Sequence, residues 1–224
     1  PVPSKLIIPA VLKEIRSTNP DANITILIAT GCHRDTTNAE LTYKFGEKIT
    51  ADEHICVHNC DDRKGIINIG KLPSGGDCEI NSIAYNADLL VAEGFIEPHF
   101  FAGFSGGRKS VLPGICDQVT VLGNHCSRFI DSQYARTGIL RNNPLHRDML
   151  AAAHMAKLAY IVNVVIDEDK NTVAAFAGEK EQAHEAGCDF LSRYCEVRAA
   201  PADIVITSNG GAPLDQNIYS VSRA

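Results

Sequence analysis

This 224-residue sequence has no excess of positive charge: 21 Lys and Arg stand against 27 Asp and Glu, for a formal net charge of -6. Neither nucleic acid nor an anionic membrane therefore has a general electrostatic reason to attract it, and an anionic ligand needs a local site. Long apolar runs are missing too. Stretches such as Ile26 to Ala29 and Val164 to Ile166 fall far short of the roughly 20 residues that span a bilayer, so no membrane segment is expected. The chain opens without a basic, apolar and small-residue leader and begins at Pro1 rather than Met, which points to an N-terminus made by truncation or processing. Internal repeats and low-complexity stretches are absent. The cysteines at Cys32, Cys56, Cys60, Cys78, Cys116, Cys126, Cys188 and Cys195 are scattered. A chain this long folds without staples, so reduced thiols in a cytoplasmic protein are expected.

What remains is ordinary globular material, 45% hydrophobic and 21% charged, which excludes a disordered, collagen-like or coiled-coil chain. The length fits one large domain, or one domain plus a fragment.

Apolar spacing predicts an amphipathic helix over Lys5 to Thr18 that Asn19-Pro20 stops. The run NITILIAT, Asn23 to Thr30, reads as a strand. Thr37 with Glu40 has the spacing of a capping box opening a helix that Gly46 closes. Further strands are predicted at His54 to His58, Ile66 to Ile69, Asp88 to Glu93, Tyr160 to Asp167, Thr172 to Ala177 and Asp203 to Thr207. Helices are predicted at Asp117 to His125, Pro144 to Leu158 and Glu179 to Cys195. Strands and helices interleave, as in a layered α/β domain. Ala199-Ala200-Pro201 reads as a linker. Residues 1–200 are thus expected to form one α/β domain, with 201–224 the linker and truncated start of a second α/β unit.

Ligands of α/β sheets collect outside the carboxyl ends of strands, and two loops there carry chemistry. The first, Gly31-Cys32-His33-Arg34-Asp35, follows NITILIAT. The second runs from Gly94 to Gly114, where His99, Arg108 and Lys109 lie among Gly94, Gly103, Gly106, Gly107 and Gly114, with Phe100, Phe101 and Phe104. Glycines permit close backbone approach, and a basic pair leading into a helix suits a phosphate. The pattern is neither G-x-x-x-x-G-K-S/T nor G-x-G-x-x-G. A generic phosphate loop and a plain glycine-rich surface loop both stay open on composition alone. His125 alone reads as a helix-end histidine. His54, Cys56, His58 and Cys60 alternate along HICVHNC, which places them in a row on one strand face, unlike the CxxC pairs of structural zinc sites. His146, His154 and His184, on predicted helices, read as structural or solvated.

The stretch EPHFFAGFSGGRKSVLPG, with GCHRDTTNAEL upstream and NGGAPLDQNIY downstream, closely resembles the nickel-dependent lactate racemase family. The resemblance implies a two-domain enzyme with its site in the cleft between domains, using a nickel-pincer nucleotide that holds nickel through two sulfurs and a ring carbon. By the same resemblance, Lys109 in GGRK tethers the nucleotide through a thioamide, with Gly106, Gly107 and Arg108 around it. His125 completes the nickel site, and His33 and His99 are acid/base partners flanking a small 2-hydroxy acid. Arg223 stands where the family has a substrate-binding lysine and Ser220 where it has a glutamine, and the family's arginine just before Pro1 is not in the chain. The expected activity is that of a 2-hydroxyacid racemase or epimerase working by hydride transfer, with this fragment inactive by itself. The competing readings are a relative acting on another 2-hydroxy acid and a non-catalytic nucleotide- or phosphate-binding lobe.

Overall fold

The computed structural model describes residues 2–197 and 200–206. Its elements run α1 (Ser4–Thr18), β1 (Thr25–Ile28), α2 (Asn38–Phe45), α3 (Glu47–Asp52), β2 (His54–Val57), β3 (Ile66–Lys71), β4 (Asp77–Asn81), α4 (Ser82–Tyr85), β5 (Leu90–Phe95), β6 (Pro98–His99) and β7 (Gly103–Phe104). A single 3-10 turn at Gly107–Ser110 leads on to α5 (Gln118–Asn124), α6 (Ser127–Ile130), α7 (Pro144–Met155), β8 (Leu158–Ile166), β9 (Thr172–Glu179) and α8 (Gln182–Cys195). The architecture is mixed α/β.

Local chemistry sets the boundaries. Thr37 and Glu40 form the capping box of α2, the Thr37 hydroxyl accepting from the Glu40 amide and the Glu40 carboxylate from the Thr37 amide. Asp117 caps α5 through the amides of Val119 and Thr120. Asn143 caps α7 ahead of Pro144, whose missing N–H is one the first turn leaves unpaired anyway.

β1 pairs in parallel with β2, β5 in parallel with β8, and β8 forms an antiparallel hairpin with β9. β3 with β4 and β6 with β7 make two smaller hairpins. The main core gathers Ile80, Leu112, Leu145, Met149, Ala152 and Ile161, all fully buried, so α7 lays one face against β8 and the loop after the 3-10 turn. A second cluster of Ile96, Phe104, Val165, Cys188 and Leu191 seats α8 on the other side. α1 and α2 are both anchored to β5, because the Ser4 hydroxyl of α1 and the Lys44 ammonium of α2 donate to the Glu93 carboxylate.

Two expectations need correction. Residues 203–206 form no strand, while Thr207 lies outside the described residues; an isolated strand has no backbone partner, and β-propensity alone does not make one. The HICVHNC row does not run along one strand face either: β2 ends at Val57, so His58 and Cys60 lie beyond it, and His58 is fully buried, its Nε2 2.9 Å from the Cys116 carbonyl and its Nδ1 3.3 Å from Asn81 Nδ2. Among the described residues, no helix is long and apolar enough to cross a membrane.

Candidate active site

The two loops named from the sequence meet at the carboxyl ends of β1 and β5. The Gly31 amide donates to the Gly114 carbonyl at 2.8 Å, so the turn after β1 is tied to the end of the long loop. Gly31 sits at a φ of +56° and packs against Pro113, where a side chain is strained. His33 follows as an exposed residue whose amide donates to the Thr30 carbonyl.

Phe101, buried, is the hub of the long loop. The His99 ring meets it edge-on at 4.6 Å, and the His125 ring does so at 5.1 Å from elsewhere in the chain. Lys109 Nζ lies 5.9 Å from the Phe101 ring centre and 3.4 Å from His99 Nε2. The β6–β7 hairpin positions His99: its register sets His99 opposite Gly103, and His99 Nδ1 accepts from the Ala102 amide at 3.3 Å. His125 is the C-cap residue of α5. Its Nδ1 lies 3.2 Å from the Val121 carbonyl, a contact that requires the proton on Nδ1 and leaves the Nε2 lone pair available. Burial, and then the Lys109 charge, lower its pKa to about 4, so the ring is neutral at pH 7.

The glycines before Lys109 are required by space. Gly106 and Gly107 have φ values of +76° and +53°. A Cβ on Gly106 would stand 2.7 Å from Asn163 Oδ1, and one on Gly107 would stand 2.8 Å from the His184 ring. Asn163, fully buried in β8, accepts the Gly107 amide at 2.7 Å. Sequence reasoning missed Asn163. Its signal was a lone amide in the apolar strand LAYIVNVVI.

Arg108 departs from the expectation of a phosphate-facing cation. Its side chain turns inward and the residue is 2% exposed. The guanidinium donates to the carbonyls of Ala102 and Phe104 at 2.8 Å each, and lies 3.0 Å from both His146 Nδ1 and His184 Nε2. Burial lowers the Arg108 pKa to about 10. Burial first and the Arg108 charge second lower His146 to about 4 and His184 to about 3, so both rings are neutral; His146 Nδ1 accepts from Arg108 Nε, whereas His184 Nε2 also lies 2.8 Å from the Ser105 carbonyl, a contact that requires its proton there. Arg108 therefore staples the loop from behind, and any effect on a bound group passes through the backbone it holds. Arg223 and Ser220 lie outside the described residues.

A cleft of about 1050 Å³ opens beside this cluster, lined by Gly94, Ser105, Gly106, Lys109 and Ser110 at one end and by β1 and β5 along its length. The site thus combines one amine, a neutral imidazole with a free lone pair, a second imidazole in contact with the amine, and room for a ligand.

A family model for the Lactate racemase N-terminal domain matches residues 1–138, and one for the Lactate racemase C-terminal domain matches residues 197–224. A lactate racemase of Thermoanaerobacterium thermosaccharolyticum is 60% identical over 219 residues, covering 98% of this chain and 51% of that protein. A lactate racemase of Lactiplantibacillus plantarum is 56% identical over 223 residues, covering 100% and 53%. The chain spans about half the length of the curated relatives it matches. The structure of the lactate racemase apoprotein from Thermoanaerobacterium thermosaccharolyticum superposes with a TM-score of 0.96 over 98% of this chain and 53% of that one, at 60% identity. A Thermotoga maritima protein, 22% identical, shares the fold at a TM-score of 0.72 over 86% of this chain. The chain belongs to the lactate racemase family.

Proposed function

We propose that this chain carries the cofactor-bearing part of a racemase for 2-hydroxy acids, with lactate as substrate, acting in the reducing cytoplasm. The observation that supports it most is the grouping of Lys109, His99 and His125 around Phe101. The residues fit a lysine-tethered nickel-pincer nucleotide. A pincer brings its own two sulfurs and ring carbon to nickel and asks the protein for one further donor, and the Nε2 lone pair of the neutral His125 ring supplies it. Lys109 supplies the amine that becomes the amide-like nitrogen of the tether, beside the Gly106 and Gly107 backbone. When bound, such a cofactor accepts the carbon-bound hydrogen of the substrate together with its electron pair.

The chain's own histidines handle the proton. The Cα–H of a 2-hydroxy acid is too weakly acidic for a neutral imidazole, but the hydroxyl proton can pass to His99 as the carbon becomes planar, at Nε2 only once the ring proton has moved to Nδ1 and the Ala102 amide contact is released. A planar keto acid has lost its handedness. Forming either hand requires a group that takes or returns the oxygen's proton on each side, as base on the way in and as acid on the way out, and His33, on the other loop, is the second. Arg223 is proposed to hold the substrate carboxylate.

The test is made on intact protein carrying its cofactor. L-lactate is supplied and the enantiomers are separated by chiral chromatography. D-lactate should accumulate to parity, and Lys109→Arg, which keeps the charge but cannot form the tether, should fall to background. Near-normal turnover by Lys109→Arg rules out the tether and makes Lys109 a phosphate-binding cation, while no turnover by the unsubstituted, cofactor-loaded protein leaves the non-catalytic lobe. A panel of other 2-hydroxy acids separates lactate from its homologues.

A further inference from the structure

A second cleft, of about 1030 Å³, lies behind the Lys109 loop, where His146, the partner of Arg108 Nε, lines it. It shares no lining residue with the cleft beside Lys109. Its size matches the small-molecule sites of proteins, roughly 300–1,000 Å³. Phe104 and Cys188, both buried, and the half-buried Leu140 and Leu150 give it an apolar floor.

Charge of opposite sign comes from its two sides. Glu185 and Asp189 stand one turn apart on α8, where side chains four residues apart share a face. Both carboxylates lie close enough to the floor to help burial push the Cys188 thiol up to about 12, against the Arg108 charge. Arg141, just before α7, and Arg147, in its first turn, line the other side. All four are exposed, and among the described residues none of them forms an ion pair or a side-chain hydrogen bond. Two carboxylates a turn apart repel each other, and a ligand cation between them relieves that repulsion.

His146 adds a fixed donor on the basic side. Its Nδ1 accepts from Arg108 Nε at 3.0 Å, so the proton of the neutral ring is on Nε2, and no described residue accepts it. Arg108, a buried cation behind the ring, polarises that N–H toward an anionic acceptor.

We propose that this cleft binds a short apolar peptide as a free zwitterion, its carboxylate on Arg141, Arg147 and His146 Nε2 and its ammonium on Glu185 and Asp189. The apolar side chains of the peptide then lie on Phe104, Leu140 and Leu150. A single amino acid carries both charges on one carbon. Walls too far apart to pair with each other need a ligand whose charges are separated, and a dipeptide or tripeptide provides that with apolar surface between. Capture of a terminal carboxylate and a terminal amine is an established way of reading peptides. The inference stands whatever chemistry Lys109 performs.

Calorimetric titration of the intact protein at low ionic strength tests it with three probes: the dipeptide Leu-Leu, its N-acetyl form, which lacks the cation, and its C-terminal amide, which lacks the carboxylate. Leu-Leu should bind saturably and at least about tenfold more tightly than either capped form, the usual worth of one charged hydrogen bond. Arg147→Gln should weaken Leu-Leu by about tenfold or more while leaving the affinity for the amide unchanged. Asp189→Asn should weaken Leu-Leu likewise while leaving the affinity for the N-acetyl form unchanged. Both substitutions are at exposed positions and leave the fold intact. Absence of saturable binding to the intact protein overturns the proposal. So does a capped form that matches Leu-Leu, since one wall then takes no part, and so does binding of Leu-Leu that both variants leave intact, since the peptide then lies elsewhere.

Discussion

Lys109 Nζ stands 3.4 Å from His99 Nε2, so the amine assigned to the tether and the imidazole assigned to the substrate proton are direct neighbours. Two roles meet at one contact. His99 is positioned through its other nitrogen by the Ala102 amide, which keeps Nε2 directed toward Lys109. In the proposed mechanism a group attached at Lys109 would stand next to His99.

Substitution should separate the roles. His99→Ala and His33→Ala in cofactor-loaded protein should slow racemisation by roughly 10²–10⁴-fold, the usual worth of a general acid or base, while the adduct on Lys109 and the bound nickel remain. Steady-state rates with metal analysis of the same samples provide the check. Loss of nickel in His99→Ala contradicts the division of labour.

His125→Ala should do the reverse. The variant should keep the organic adduct on Lys109 but release nickel on dialysis, because only the Nε2 donor is gone. Nickel retained at the unsubstituted level removes His125 from the metal site.

The loop's backbone should resist side chains. Gly107→Ala places a Cβ against the His184 ring at a φ of +53°, and should destabilise the fold by at least about 1–3 kcal/mol in urea unfolding. Asn163→Ala leaves the buried Gly107 amide without its acceptor and should cost about 1–3 kcal/mol. A change below about 0.5 kcal/mol in both, the size of an ordinary surface substitution, shows that the loop is not held as described.

Acid should loosen the loop from behind. His146 and His184 have folded pKa values of about 4 and about 3, below the ordinary 6.5. Between 6.5 and those values the unfolded chain binds protons that the folded one does not, so stability falls as pH falls, by up to about 1.4 kcal/mol per pH unit for each group. Unfolding free energies at pH 7 and pH 5 should differ in that direction. His184→Gln, which stays neutral, should reduce the slope, and an unchanged slope in that variant contradicts the assignment.

The long periodic elements were legible because local chemistry fixes them. The apolar stripe of α1, the Thr37–Glu40 box and the Asn143-Pro144 start of α7 needed no tertiary information. The β6–β7 hairpin, which aims His99, was not, since strands of two residues leave no period to read. Arg108 was misread for a different reason. A basic residue in a glycine loop has the same local sequence whether its guanidinium faces a ligand or turns toward Ala102, Phe104 and two histidines. Only the chain's return at His146 and His184 decides it. Asp203 to Ile206 read as a strand because propensity is local, whereas a strand needs an edge to join.

The central claim is that Lys109 carries the cofactor, and peptide mass mapping of the intact, active protein tests it directly. The account predicts that the peptide containing Lys109 carries a nucleotide-sized mass increment localised to that side chain and absent from Lys109→Arg. An unmodified Lys109 in protein that racemises lactate contradicts it.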